Sequence, residues 1–240
     1  MLISTMSMLP WLESPQDFPP INEALDDPNG LLAAGGDLSL EMLQAAYRRG
    51  IFPWYSEGQP ILWWSPDPRC IIDYDHLHIS RSLRKHVRRT KWTLSFDTSF
   101  ESVIFACTQR GPKEGTWITP EMQSAYLALH EAGYAHSIEV RDGDRLIGGL
   151  YGVAMGSCFF GESMFSHESN ASKVAFWALC KQLHRWHYQL IDCQMENPHL
   201  MSMGAYNISR PDFQNKLTKG LKAQPKHTRW RFDSDLLSNV

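Results

Sequence analysis

Apolar positions recur at helical spacing in some stretches of this 240-residue chain and alternate like strands in others. Leu40, Leu43 and Tyr47 share one helical face behind Ser39, a good cap. Arg48 and Arg49 suit a last turn and Gly50 a stop, so the pattern predicts a helix over 39–49. Ile79, Leu83 and Val87 stripe a second helix and turn Arg81, Arg84 and Arg88 to another face. Thr98-x-x-Glu101 reads as a capping box opening a helix with Phe100, Val103, Ile104 and Cys107 inward. Thr119-Pro120 opens a further helix that ends at Gly133. Strands follow: 136–140 and 145–155 flank Asp142-Gly143, a hairpin signal, and 157–161 is a short third strand. Asn170 caps a helix to about Trp186, and 190–194 is a buried strand. The order predicts an α/β domain on a mixed sheet, with no internal repeat.

The stretch 50–69 has another texture. It holds Phe52, Trp54, Tyr55, Trp63 and Trp64 among four prolines (Pro53, Pro60, Pro66, Pro68), so it cannot be a long helix. Rigid aromatic backbone of this kind either packs a core or presents flat rings to a ligand.

Composition adds bounds. The chain is 43% hydrophobic and 20% charged, ordinary for a globular protein of one large domain or a small one joined to a larger one. No run of about 18 apolar residues occurs to span a membrane. Residues 1–10 lack the basic start and apolar core of a signal peptide. Five scattered cysteines (Cys70, Cys107, Cys158, Cys180, Cys193) fit reduced thiols in a cytoplasm better than a disulfide framework. Net charge is −3, yet twelve of the 23 basic residues lie in two acid-free stretches. One carries Arg81, Arg84, Lys85, Arg88, Arg89 and Lys91; the other carries Lys216, Lys219, Lys222, Lys226, Arg229 and Arg231. Such patches are either solvated surface or local contacts for a polyanion.

Candidate chemistry is sparse. Asp192 and Gln194 share one face of a strand while Cys193 points away. An acid beside an amide can accept a proton and orient a nucleophile, or can be a structural carboxylate bonded to a nearby loop. Gly161-Glu-Ser-Met-Phe-Ser166 places Glu162 and two serines in a turn leaving the third strand, without the second glycine of a nucleophile elbow. Leu150, Phe159, Met164, Phe176, Leu179 and Leu183 cluster around it, most simply as core. Cys180, His184 and His187 fall on one helical face, but no fourth ligand accompanies them and no metal is expected. No Walker motif or GxGxxG is present.

Taken together, several long strings resemble the bacterial leucyl/phenylalanyl-tRNA–protein transferase family: Pro28-Asn-Gly-Leu-Leu, Gly35-Gly-Asp-Leu-Ser39, Tyr47-x-x-Gly-Ile-Phe-Pro-Trp54 and Ile61-Leu-Trp-Trp-Ser-Pro-Asp-Pro-Arg69. His78-Ile-Ser-Arg-Ser82, Glu114-Gly-Thr-Trp-Ile-Thr119, Ala135-His-Ser-Ile-Glu-Val140, Asn170-Ala-Ser-Lys173 and Leu190-Ile-Asp-Cys-Gln194 continue the match, as does the Gly161–Ser166 run. The resemblance covers about residues 17–215.

It implies an α/β (α+β) protein with a small N-terminal domain, 1–69, and an acetyltransferase-like (GNAT) mixed-sheet domain, 70–240. The implied activity moves Leu or Phe, less so Met, from aminoacyl-tRNA to the α-amine of a protein or peptide with N-terminal Arg or Lys. That marks it for proteolysis in the cytoplasm, without a cofactor. DNA and membrane would not be partners, and the protein would be a monomer. Residue by residue, Tyr47, Trp54 and Trp117 would meet the tRNA's 3′ adenosine. Leu150, Phe159, Met164, Phe176, Leu179 and Leu183 would hold the amino-acid side chain. Asp192, Gln194 and Glu162 would serve the acceptor amine, and Arg81, Arg84, Lys85 and Arg88 the tRNA phosphates. The rivals are an acetyl-CoA-dependent acetyltransferase and a non-enzymatic RNA-binding module. Residues 166–173 carry none of the glycines that hold a pyrophosphate, and RNA binding alone leaves Asp192, Gln194 and Glu162 without a task.

Overall fold

The proline-rich N-terminal third folds around a small sheet, which its irregular pattern did not announce. In the computed structural model, which describes residues 9–109, 117–223 and 230–237, β1 (Trp11–Leu12), β2 (Leu31–Gly35), β4 (Leu62–Trp64) and β3 (Phe52–Pro53) lie side by side in that order. Between β2 and β3 runs α1 (Leu40–Arg48), capped by Ser39 Oγ, which accepts from the Met42 N–H at 3.3 Å. Gly50 ends it at φ +75°, where a Cβ would come within 2.5 Å of the Phe213 ring. Only glycine meets both demands.

A seven-stranded mixed sheet forms the body. Its strands are β5 (Arg69–Ile72), β6 (Thr93–Phe96), β7 (Ala135–Asp142), β8 (Arg145–Met155), β9 (Cys158–Ser166), β10 (Leu190–Gln194) and β11 (Tyr206–Ile208), in the order β11-β5-β10-β9-β8-β7-β6. Only β9 and β10 are parallel neighbours; the other pairs are antiparallel. β5 begins at Arg69, so the division expected at 69/70 falls inside a strand. The helices are α2 (Arg81–Arg89), α3 (Phe100–Thr108), α4 (Pro120–Glu131), α5 (Ala171–Arg185), α6 (Pro198–Ser202) and α7 (Arg210–Leu221).

The sheet separates two cores because strand residues alternate between faces. Tyr151, Phe160 and Leu190 pack with α1, α3 and α4, while Leu150, Phe159 and Ile191 pack under α5. Three local expectations change. Thr98 does not cap α3; its hydroxyl donates to Glu139 Oε2 at 2.9 Å, and the flanking residue, Ser99, makes no side-chain cap bond. Asn170 precedes α5 at φ +75°, also without one. The third strand runs on to Ser166, so Glu162 and Ser163 lie within β9 rather than in a turn.

That extension shapes the site. β9 and β10 pair through Leu190–Cys158, Ile191–Phe159 and Asp192–Phe160. Beyond, β9 continues along β8 while β10 bulges toward β5, with Gln194 at φ +63°. The strands part there and leave a crevice at the sheet's centre.

Candidate active site

A cavity of about 560 Å³ opens from the crevice, lined by residues from β3, β8, β9, α5, β10 and α6 and by Trp117. Trp54 stands at its mouth, 40% exposed. The other two tryptophans of the aromatic stretch support it. Trp63 is fully buried and donates Nε1–H to Gly35 O at 2.9 Å. Trp64 donates to the carbonyl of Trp54 at 2.6 Å, with the two rings edge to face at 5.5 Å. One ring is thus core, one is a brace and one is offered outward.

The apolar wall comes from both sides of the crevice: Leu150, Phe159 and Met164 from the strands, Phe176 and Leu179 from α5. Leu183, expected with them, is buried one turn further along α5 and does not reach the cavity.

Two acids lie where the strands part. Glu162, partly buried on β9, accepts from Tyr47 Oη at 2.8 Å, Tyr126 Oη at 2.7 Å and Gln194 Nε2 at 2.9 Å. The two tyrosine oxygens lie 2.6 Å apart, so each hydroxyl proton has both Glu162 and the other phenol oxygen within reach. Burial pushes the Glu162 carboxyl up to about 7; the tyrosine bonds pull it down, and the Asp192 charge pushes it up further. Burial raises both tyrosines well above the ordinary phenol range, with the Glu162 charge adding to it, so both stay protonated donors.

Asp192, with no exposed surface, is held by Arg69: Nε donates to Oδ1 at 2.8 Å and a terminal nitrogen to Oδ2 at 2.6 Å. Arg69 is equally buried, its guanidinium over the Phe52 ring at 4.9 Å and over the Phe213 ring at 4.6 Å. Asp192 Oδ1 also accepts the Gln194 backbone N–H at 2.8 Å, which pins the left-handed backbone of that residue. Asp192 and Gln194 therefore belong to one assembly, but the carboxylate faces a cation and the amide faces Glu162.

Tyr47 lies beneath Glu162 with no exposed surface, so it is placed to bond the acid and not to stack on a ligand at the mouth. Trp117 lines the cavity; Glu114, Gly115 and Thr116 of the same string lie outside the described residues, as do residues 1–8, Lys226 and Arg229. Arg81, Arg84, Lys85 and Arg88 are exposed on α2. His187 follows the end of α5 at φ +60°, which breaks the one-face arrangement with Cys180 and His184; among the described residues no cluster fit to hold a metal occurs. Cys193 borders the cavity, but its thiol is raised by its neighbour Cys70 and by burial, away from a nucleophilic thiolate. Sequence reasoning missed Arg69 and Tyr126. Arg69 carried one signal, a cation opening the apolar strand Cys70–Ile72.

Residues 71–218 match the family described as leucyl/phenylalanyl-tRNA protein transferase, and 36–67 match that family's N-terminal domain. A leucyl/phenylalanyl-tRNA–protein transferase from Pseudomonas fluorescens (strain SBW25) is 58% identical over 93% of this chain and 99% of its own. One from Hahella chejuensis is 55% identical over 96% and 98%. Among solved structures, L-PGS from Bacillus licheniformis is similar at a TM-score of 0.40 and 12% identity, over 70% of this chain and 54% of that one. Among the described residues, no helix is long and apolar enough to cross a membrane.

Proposed function

The chain belongs to the leucyl/phenylalanyl-tRNA–protein transferase family and is an aminoacyl-tRNA–protein transferase; on that premise we propose that it moves Leu or Phe, less so Met, from aminoacyl-tRNA to the α-amine of proteins beginning with Arg or Lys. The observation that carries this reading is the joining, in one cavity, of an outward aromatic ring, an apolar wall and an acid with a carboxyl near pH 7. Residues 1–69 would form the unit that brings Trp54 to the mouth and 70–240 the catalytic unit, with Arg69 at the junction already the first residue of the larger sheet. The setting would be cytoplasmic.

Trp54 and Trp117 would take the 3′ adenosine, whose ring stacks on an aromatic face at about 1–3 kcal/mol. Leu150, Phe159, Met164, Phe176 and Leu179 would take the amino-acid side chain. Exposed Arg81, Arg84, Lys85 and Arg88 would meet tRNA phosphates.

An aminoacyl ester is already activated, so the protein's task is to align ester and amine and manage protons. The acceptor α-amine, with an ordinary pKa near 8, is partly neutral at physiological pH. Its nitrogen attacks the ester carbonyl and a C–N bond forms. The ester C–O bond then breaks, and the ribose oxygen leaves with a proton. Glu162 would receive the proton the nitrogen loses and hand it on to the departing ribose oxygen, which returns the carboxylate to its starting state. Gln194, whose amide N–H₂ is bonded to Glu162, would offer its amide oxygen to the amine. Asp192 acts one step back as a positioning residue: its carboxylate is taken by Arg69 and by the backbone that aims Gln194.

Radiolabelled leucyl-tRNA offered with an Arg-starting peptide tests the reading. Labelled peptide is the expected product. Acetyl-CoA consumption with the same peptide would favour an acetyltransferase, and RNA binding with neither product would leave a binding module.

A further inference from the structure

The family match ends at residue 218, yet the chain returns to the site after it. Residues 230–237 lie along α5, held by a polar clamp. Arg185 bonds Asp233 at 2.9 Å and grips Asp235 through two nitrogens at 2.8 and 2.7 Å. The Gln182 amide exchanges two bonds with Asp233, at 2.9 and 2.8 Å, and Lys181 Nζ reaches Leu236 O at 2.8 Å.

The clamp delivers one large side chain. Trp230, 3% exposed, stacks flat on His136 at 4.0 Å and 6°, and His136 is itself fixed to Asp97 Oδ2 at 2.8 Å. Trp186 closes edge to face at 5.1 Å. Phe159, Phe96 and Tyr188 also pack on the indole, ring centres 5.7, 6.0 and 6.0 Å away, and of these three Phe159 alone lines the cavity. Phe159 borders the cavity on its other side.

We infer that the segment from Trp230 onward is a strap that sets the depth of the donor pocket, with Trp230 a positioning residue for donor selectivity acting through Phe159. The inference rests on reading the cavity as the donor pocket. A close-packed wall transmits a volume change to its neighbours. With the indole in place Phe159 has nowhere to retreat. With the indole gone it can turn into the vacated space, and the pocket deepens toward longer side chains. The polar clamp makes the device adjustable, since its contacts with Asp233 and Asp235 lie at the surface.

The test measures kcat/KM for leucyl- and phenylalanyl-tRNA separately, at saturating Arg-starting peptide. Trp230→Leu should raise the Phe-to-Leu ratio by about 5-fold or more, a smaller step than the roughly 10–200-fold that a methylene in direct contact decides in such pockets. Trp230→Phe should restore most of the wild-type ratio, and the KM for the acceptor peptide should not move. Arg185→Ala, which loosens the clamp far from the cavity, should shift the ratio the same way, by about 2-fold; if Trp230→Leu fails to fold, this variant decides. A wild-type ratio in both, whatever the total activity, overturns the strap. Phe159→Ala and Met164→Ala separate the two readings. If they change the donor profile and the strap variants do not, only the strap falls; if none changes it, the pocket reading falls as well.

Discussion

Asp192 and Glu162 stand on neighbouring strands where β9 and β10 part, both withdrawn from water, and their surroundings give them opposite work. Asp192 meets a full positive charge on Arg69 in a buried bidentate pair whose guanidinium packs on two aromatic rings. Glu162 meets only neutral donors, two tyrosine hydroxyls and an amide, and borders the cavity. A carboxylate neutralised by a cation is a fixed strut. One held by neutral donors, with burial raising its carboxyl to about 7, can exchange a proton under working conditions. On the proposed reading the partner's charge, a cation for Asp192 and neutral donors for Glu162, goes with the difference in role.

The sharpest way to break the contrast is Glu162→Gln. Transfer should fall by about 10²–10⁴-fold, the usual weight of a positioned base, while the KM for aminoacyl-tRNA stays close to wild type. Near wild-type single-turnover rates would move proton acceptance elsewhere.

Asp192→Ala should act first on the fold. It leaves the Arg69 charge buried without its partner, at about 3–5 kcal/mol of stability, visible as a lower denaturant midpoint. Transfer should fall with it because Gln194 loses the anchor of its backbone. Replacing Arg69 and Asp192 together by Met and Leu should recover more stability than activity. Full activity in a stable double variant would show that the strut does not aim the amide.

How far this contrast was legible in the chain depends on sequence distance. Signals within one turn were readable: Ser39 and Thr119 as caps, Gly50 as a stop, Asp142-Gly143 as a hairpin. The acid and amide of β10 were readable as a pair. The partner that decides the role of Asp192 lies 123 residues away, and Tyr126 lies 36 from Glu162; neither spacing leaves a local pattern. Thr98 shows the converse. Its capping box was well formed, but Glu139 on the adjacent strand claimed the hydroxyl. The run of β9 to Ser166 was hidden because Glu162 and Ser163 look like turn residues until β8 supplies the pairing.

A pH series sharpens the difference further. Glu162 has a folded value near 7 against an ordinary value of 4.5, so the folded state holds its proton over a range where the unfolded state has lost it. Its contribution to stability is complete below about 4.5 and is lost as pH rises through 7. Activity should move oppositely, rising through the same interval as the carboxylate forms. Glu162→Gln should flatten the stability slope, so its stability relative to wild type improves from pH 5 to pH 8. A parallel slope in both proteins would mean that Glu162 is ionised throughout.

The smallest effect is expected from Tyr126→Phe. The hydroxyl lowers the Glu162 carboxyl by binding its ionised form, so its loss should carry the rising limb of the pH–rate profile to higher pH. The cost in stability should be about 1 kcal/mol, that of an ordinary hydrogen bond. An unmoved limb would place the titrating group outside this network.

The arrangement of tryptophans at the mouth has an optical consequence. Trp63 is sealed in the core, whereas Trp54 and Trp11 are the large exposed indoles among the described residues, at 40% and 64%. In a Trp11→Phe background, the emission accessible to a dissolved quencher such as iodide should come mainly from the cavity rim. An adenosine settling on Trp54 would shield that ring and change its colour. If Trp54 takes the adenosine as proposed, its fluorescence would gauge donor occupancy before any bond is made.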